Sequence, residues 1–285
     1  NSGLLANGVI VNVEGPATLN STGQIDSAGS RAVYLASRTS ADAVLDGNVG
    51  DAATATTDSD LRDSFIQSQF FQSSPSTSET ETAGGVTTTT TTSGYTRIGG
   101  TASASVGADA NTGSIFAVGL DGATAAVDGA VGSETEFDSV DASSNTQEGS
   151  TITVSQSDGT DSSFAQTDTR TAIGSTASVT IGEAGSVSGS VSASGLESAN
   201  VEIAGAVGNE NFFSNVSANS QNSNFASTSA NSTTGTVSSS SFDQASETTG
   251  GTASVSVSET GSVTGQVSAS GFAGAEVALA AAVGT

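Results

Sequence analysis

Histidine, cysteine, methionine and tryptophan are absent from this 285-residue chain. Without cysteine there is no disulfide framework and no thiolate metal site. Without histidine the commonest general base, the commonest zinc ligand and the neutral-pH switch are all missing. A nucleophilic triad would lack its usual base, and serine is too abundant for any one residue to stand out. Lysine is also absent: the five cations are Arg31, Arg38, Arg62, Arg97 and Arg170, set against 29 acidic residues for a net charge of −24. Leu, Ile, Val and Phe together reach only about 19% of the chain, close to the ~20% level at which disorder competes with folding.

The charge balance narrows the partners. Nucleic acid needs a basic patch to neutralise phosphates, and five scattered arginines do not make one. An anionic membrane surface repels the chain for the same reason. Apolar runs such as Val9-Ile10-Val11 and Ala278 to Val283 fall far short of the ~20 residues that span a bilayer. We therefore expect no membrane insertion. The chain starts at Asn1 with no charged n-region before an apolar core, which fits a secreted protein whose signal peptide has been removed, the alternative being an arbitrary start. An extracellular or cell-surface location follows as an expectation.

What the chain does have is self-similarity. Residues 174–208 and 250–284 align without a gap at an offset of 76, with about 21 of 35 positions identical; a period of this kind marks a repeat architecture. A third copy runs from Gly100-Thr101-Ala102-Ser103 to Val131-Gly132, and a fainter one from Gly23-Gln24-Ile25 to Val49-Gly50. Ser/Thr/Asn-rich stretches separate the copies. The implied organisation is an apolar leader strand at 1–14, repeats at 15–98, 99–173 and 174–249, and a partial repeat at 250–285.

Within each copy the period is two. Val179, Ile181, Val187, Val191, Ala193, Val201, Ile203 and Val207 share one parity, and their neighbours are mostly small or polar. Strict alternation predicts half-buried strands, and Val, Ile and Thr suit a pleated surface. Nothing shows a period of 3.6. The parity pattern outweighs the disorder reading, and the Thr87 to Thr92 tract reads as a strand with threonine ladders. We expect an all-β fold with essentially no helix. Its form is a β-solenoid of stacked parallel coils with Gly-x-Val turns such as Gly189-Ser190-Val191, or antiparallel meanders in a layered sandwich. Because the inward residues are small, the core must be thin.

These Gly/Ser/Val-rich half-repeats resemble the repetitive surface fibres and β-helical adhesin passengers of bacteria. The resemblance implies an extracellular fibre or rod. The 76-residue period is too long for one coil, so each unit must hold several coils or an inserted hairpin.

Candidate chemistry is sparse. Glu79 and Glu81, and Glu134, Glu136 and Asp138, alternate along what read as exposed strand faces, where solvation explains them better than acid–base pairing. Calcium takes oxygen ligands, so Asp46, Asp121, Asp128, Asp158 and Asp161 at Asp-Gly turns are candidate ligands. None lies in a calcium-loop motif, and Asp-Gly is ordinary turn chemistry. Sequons at Asn20, Asn215 and Asn231 could carry glycans. Phe70-Phe71 and Phe212-Phe213 read as aromatics on both faces of a strand, one ring of each pair facing a small core or a neighbouring subunit.

Function is then structural rather than enzymatic. The leading expectation is a self-assembling subunit of an extracellular filament, sheath or matrix fibre, a homopolymer joined head to tail. Its interface would use Leu4, Leu5, Val9, Ile10, Val11 and Val13 at one end, Val277, Leu279 and Val283 at the other, and the paired phenylalanines. The alternative is a rod-like adhesin or tail-fibre-type protein that binds glycans. Lectin sites usually present Trp or Tyr platforms, and here only Tyr34 and Tyr95 are available.

Overall fold

A computed structural model describes residues 4–27, 31–50, 61–134, 136–281 and 283. Among them there is no helix, and none is long and apolar enough to cross a membrane. The chain winds through eight coils with three parallel walls. The first wall is short. Single-residue bridges at Leu5, Ile25 and Val49 begin it, and two-residue strands from Asn111–Thr112 to Ser262–Val263 continue it. The second wall runs from Val9–Val13 to Gln266–Gly271. The third runs from Ala17–Ser21 to Gly274–Leu279. Every pairing between successive coils is parallel, which makes the body a solenoid rather than a sandwich.

The eight residues of shared parity, Val179 to Val207, are all buried. They form parts of ladders in which like residues stack coil upon coil. At the first inward position of the third wall the ladder is alanine in all eight coils, from Ala17 and Ala41 through Ala102 to Ala275. Beside it, two ladders compensate in volume. The second wall carries Leu35 and Ile66 where the third carries Ala43 and Ala104; further along it carries Ala142 and Ala193 where the third carries Val179 and Val201. In these coils a large residue on one wall faces a small one on the other, which favours a filled core; the coil of Ala117 and Ala125 is small on both walls. Each fully buried Val or Ile contributes on the order of 1.5–3 kcal/mol.

The 76-residue offset spans two coils. Val187, Val207 and Val263 are successive rungs of the first wall, and Val187 and Val263 are 76 residues apart. The first two coils turn directly from the second wall into the third; after them the coils come in pairs, and in one coil of each pair the turn is again direct. In the other, a long hairpin is inserted at that corner. Over the paired coils the two kinds of corner differ at one rung, although Ser37 holds the same rung at a direct turn. Gly119, Gly195 and Gly271 stand on it where the turn is tight, Ser68, Ser144 and Ser220 where a hairpin leaves. A Cβ on Gly195 would lie 2.0 Å from the Ser198 carbonyl oxygen, a backbone atom that has no room to move. Ser144 and Ser220 use their hydroxyls to tie the hairpin's return strand: Ser175 N–H donates to Ser144 Oγ at 3.0 Å, and Gly251 N–H to Ser220 Oγ at 3.1 Å.

The three hairpins pair side by side in an antiparallel sheet that projects from the solenoid as a fin. Its arms are Asp63–Ala83 with Val86–Gly99, Val140–Ser157 with Ser162–Gly174, and Asn222–Thr234 with Val237–Thr249. Two coils rise about 9.6 Å and two hairpin strands span the same distance, at ~4.8 Å per strand. The fin and the solenoid therefore grow in step. The Thr87 to Thr92 tract lies within the Val86–Gly99 arm, and hydroxyl pairs Ser78–Thr91, Thr80–Thr89 and Thr82–Thr87 join it to its neighbour at 3.2, 3.1 and 3.0 Å. Edge arms invite unwanted pairing. Here Pro75 interrupts the first arm at a register shift between Ser74 and Thr77, and acidic residues line both edge arms.

Candidate assembly surfaces

The end coils are the first candidate surface. At the inward rungs of the third wall, Val255 and Val257 are 1% exposed, whereas Val277 and Leu279 on the last described coil are 43% and 50% exposed. Val283 bridges to Val263, carrying the first wall one rung further. At the other end the Val9–Val13 strand pairs with Val33 to Ser37 of its own chain and forms the first described coil of the second wall. Val9 and Val11 pack partly buried on the core; Leu4, Ile10 and Val13 stay exposed. Each end thus presents strands hydrogen-bonded on one side only, over partly uncovered core.

The paired phenylalanines divide. Phe70 and Phe71 do sit on opposite sides of one strand. Phe70 lies opposite Ile98, and the exposed Phe71 ring stacks on Tyr95 at 5.1 Å with Arg97 5.6 Å from its centroid. Phe212 and Phe213 are not on a strand. The Asn209 side chain accepts hydrogen bonds from the Asn211 and Phe212 amides at 2.9 and 3.0 Å and folds the segment into a turn. Phe212 meets Phe137 edge-on at 5.7 Å, and Phe213 is exposed.

A second correction concerns the acidic alternation at Glu134, Glu136 and Asp138. These residues lie in the loop before the Val140–Ser157 strand, and Asp138 is buried. Its Oδ1 accepts from Ser114 Oγ at 2.8 Å, while Oδ2 is buried without a hydrogen-bond partner. Burial pushes the Asp138 carboxyl above the usual aspartate range; the Ser114 hydroxyl opposes the rise and the Asp63 charge adds to it. Asp141 is raised by burial too, against a hydrogen bond from Ser192. Glu79 and Glu81 are exposed on the fin, as expected.

The calcium candidates are dispersed. Asp46 and Asp128 pack against Gly107 and Gly182 at the corner between the third and first walls. Asp121 lies at the corner where the second wall meets the third. Asp158 and Asp161 occupy the tip of the second hairpin. Asp158 Oδ1 accepts from the Thr160 and Asp161 amides at 3.0 and 2.7 Å, which holds its carboxyl below the usual range. Asp161 Oδ1 accepts from Gly235 N–H at 3.0 Å and so ties this tip to the next hairpin. Among the described residues no three carboxylates converge into a metal-binding group. The sequon asparagines Asn20, Asn215 and Asn231 are exposed.

Sequence reasoning missed an aromatic ladder. On the outer side of the second wall, Tyr34, Phe65 and Phe116 stand on successive coils, with ring centroids 6.0 and 5.9 Å apart. Arg31 lies over the Phe65 ring at 4.8 Å. On the fin, Tyr95, Gly149, Arg170 and Phe225 form one cross-strand row, with Arg170 over Phe225 at 5.9 Å. Aligning the coils on the inward second-wall residues Leu35, Ile66 and Ala117 would have exposed the first set. Compared with protein-family models, with curated proteins and with solved structures, the chain matches none.

Proposed function

We propose that this chain is a structural subunit of an extracellular filament, sheath or fibre, whose solenoids stack end to end. The observation that supports it best is the exposure of Val277 and Leu279 at rungs that are sealed in the preceding coils. A further coil laid on this end would bury them and pair the free edges of both longer walls. A second copy offers such a coil in Val9–Val13 and Ala17–Ser21. That contact joins two different surfaces, so it propagates rather than closes, and it gains main-chain hydrogen bonds by strand addition.

Negative-stain microscopy and light scattering test the reading. The wild-type chain is expected to form rods that lengthen with concentration, and Val277→Asp with Leu279→Asp is expected to give short, folded particles. Dispersed particles of one length under all conditions, or filaments unaffected by the double substitution, would overturn it.

A further inference from the structure

The strands Asp63–Ala83 and Val140–Ser157 run from the second wall into the fin, the first without a register shift as far as Ser74. Alternate residues therefore stay on one side. The outer side of the wall and one side of the fin form a single surface that holds Phe65 and Phe71 on the same strand. The Tyr34–Phe65–Phe116 stack lies at the solenoid end of this surface. On the fin, a groove of about 520 Å³ runs between Phe71, Tyr95, Arg170 and Phe225. Phe164 and Phe242 lie further out on the same side, by the cross-strand register.

Charge separates this surface from the rest of the molecule. Arg38 and Arg62 pair with Glu14 and Asp26 at 3.2 and 3.9 Å. The other three arginines, Arg31, Arg97 and Arg170, each lie over an aromatic ring, and all three are on this surface. Among the described residues they share it with Asp63, Asp141 and Asp168, so three charges of each sign balance. The reverse side of the fin carries Glu79, Glu81, Glu148, Asp243 and Glu247 with no arginine, and the outer third wall adds Asp42, Glu202 and Glu276. In a chain of net charge −24, like-charge repulsion keeps copies apart on every strongly acidic face. It is relieved where local charges cancel.

We propose that this aromatic, charge-balanced surface is a face-to-face interface with a second copy of the same chain, related by a two-fold axis. Such a contact is self-complementary: the arginines of one copy meet aspartates of the other, and rings pack on rings. The available area is sufficient. Six fin strands at ~4.8 Å and arms of ~13 residues at ~3.3 Å give about 1,200 Å² per copy, above the ~800 Å² per partner of a standard interface. The contact closes on itself, so it doubles the width of a rod and leaves its length to the end coils. It stands independently of end-to-end stacking.

The test uses the full chain carrying Val277→Asp and Leu279→Asp, so that end stacking does not contribute. Sedimentation across a concentration series should show a monomer–dimer equilibrium. Phe71→Asp together with Phe225→Asp should weaken it at least tenfold, and Ile152→Asp on the reverse side should leave it unchanged. Because the chain has no cysteine, Ser227→Cys and Thr228→Cys place single thiols on the two sides of one strand. A short bis-maleimide should link copies through position 227 and not through 228, in proteins of unchanged circular dichroism. A monomer at all concentrations, equal loss from Ile152→Asp, or equal cross-linking at both positions would overturn the proposal.

Discussion

Ser144 Oγ accepts a hydrogen bond from the Ser175 amide, across the mouth of a long hairpin, and donates to the Leu120 carbonyl of the coil beneath at 2.8 Å. One hydroxyl therefore closes the hairpin's base and fastens it to the solenoid. Ser144 is fully buried, and its loss removes the hydroxyl that serves the Leu120 carbonyl and the Ser175 amide. Ser144→Ala is expected to cost about 1–3 kcal/mol, and Ser143→Ala, on the outer side, less than about 0.5 kcal/mol. Urea denaturation of the two variants measures the difference.

Hairpins should be removable. The coil after Val191–Gly195 reaches the third wall through Leu196 and Glu197 alone. Replacing Ser220 by glycine and residues 221–251 by Leu-Glu copies that corner. The shortened chain is expected to keep its parallel coils, with a protease-resistant solenoid and β-type circular dichroism. Collapse to a protease-sensitive chain would show that the hairpin is needed for folding.

Tight corners should not tolerate a methyl group. In Gly195→Ala the new Cβ would meet three backbone atoms within 2.8 Å, whereas at Gly15 nothing lies within 4 Å. We expect Gly195→Ala to lose at least about 2 kcal/mol by overpacking and Gly15→Ala to change stability by less than about 0.5 kcal/mol. Thermal unfolding distinguishes the two.

Asp138 should give stability an acid-side maximum. Its folded-state pKa is raised, so the folded protein holds the proton more tightly than the unfolded chain. The contribution is fully present below the ordinary carboxyl value, near ~4, and is lost as pH rises through the raised value. Asp138→Asn keeps an acceptor for Ser114 and removes the charge. It should unfold at higher temperature than wild type at neutral pH and show a flatter profile between mild acid and neutrality. An unchanged slope would assign the pH dependence to other groups.

Salt should favour assembly. Every copy carries 24 excess negative charges, and screening shortens the range of their repulsion to ~8 Å at physiological ionic strength. Light scattering should rise with sodium chloride and more steeply with calcium. A steady decline with salt would mean that attraction between unlike charges dominates the contact.

The inward parity of Val179, Ile181, Val201 and Ile203 was legible because side-chain direction in a strand depends only on odd or even position. Whether neighbouring strands run parallel was not, since the same alternation serves both arrangements; the repeated Gly-x-Val turns leaned toward coils. The long polar stretches concealed the fin. Its sides are both solvated, so strands such as Val237–Thr249 lack the apolar alternation that marks a core. Phe212 and Phe213 misled because the Asn209 side chain turns the backbone just before them, a local bond that overrides strand propensity. The Tyr34, Phe65 and Phe116 ladder joins residues separated by unequal sequence distances, so no fixed offset reveals it.

The matched rise of two coils and one hairpin has a consequence for inheritance. A duplication or loss of one 76-residue segment, as unequal recombination between the similar stretches at 174–208 and 250–284 would produce, inserts or removes two whole rungs of each wall and two whole strands of the fin. The walls and the fin reclose in the same register. Rod length can therefore vary between lineages by whole steps of about 9.6 Å, with no contact redesigned at the junction.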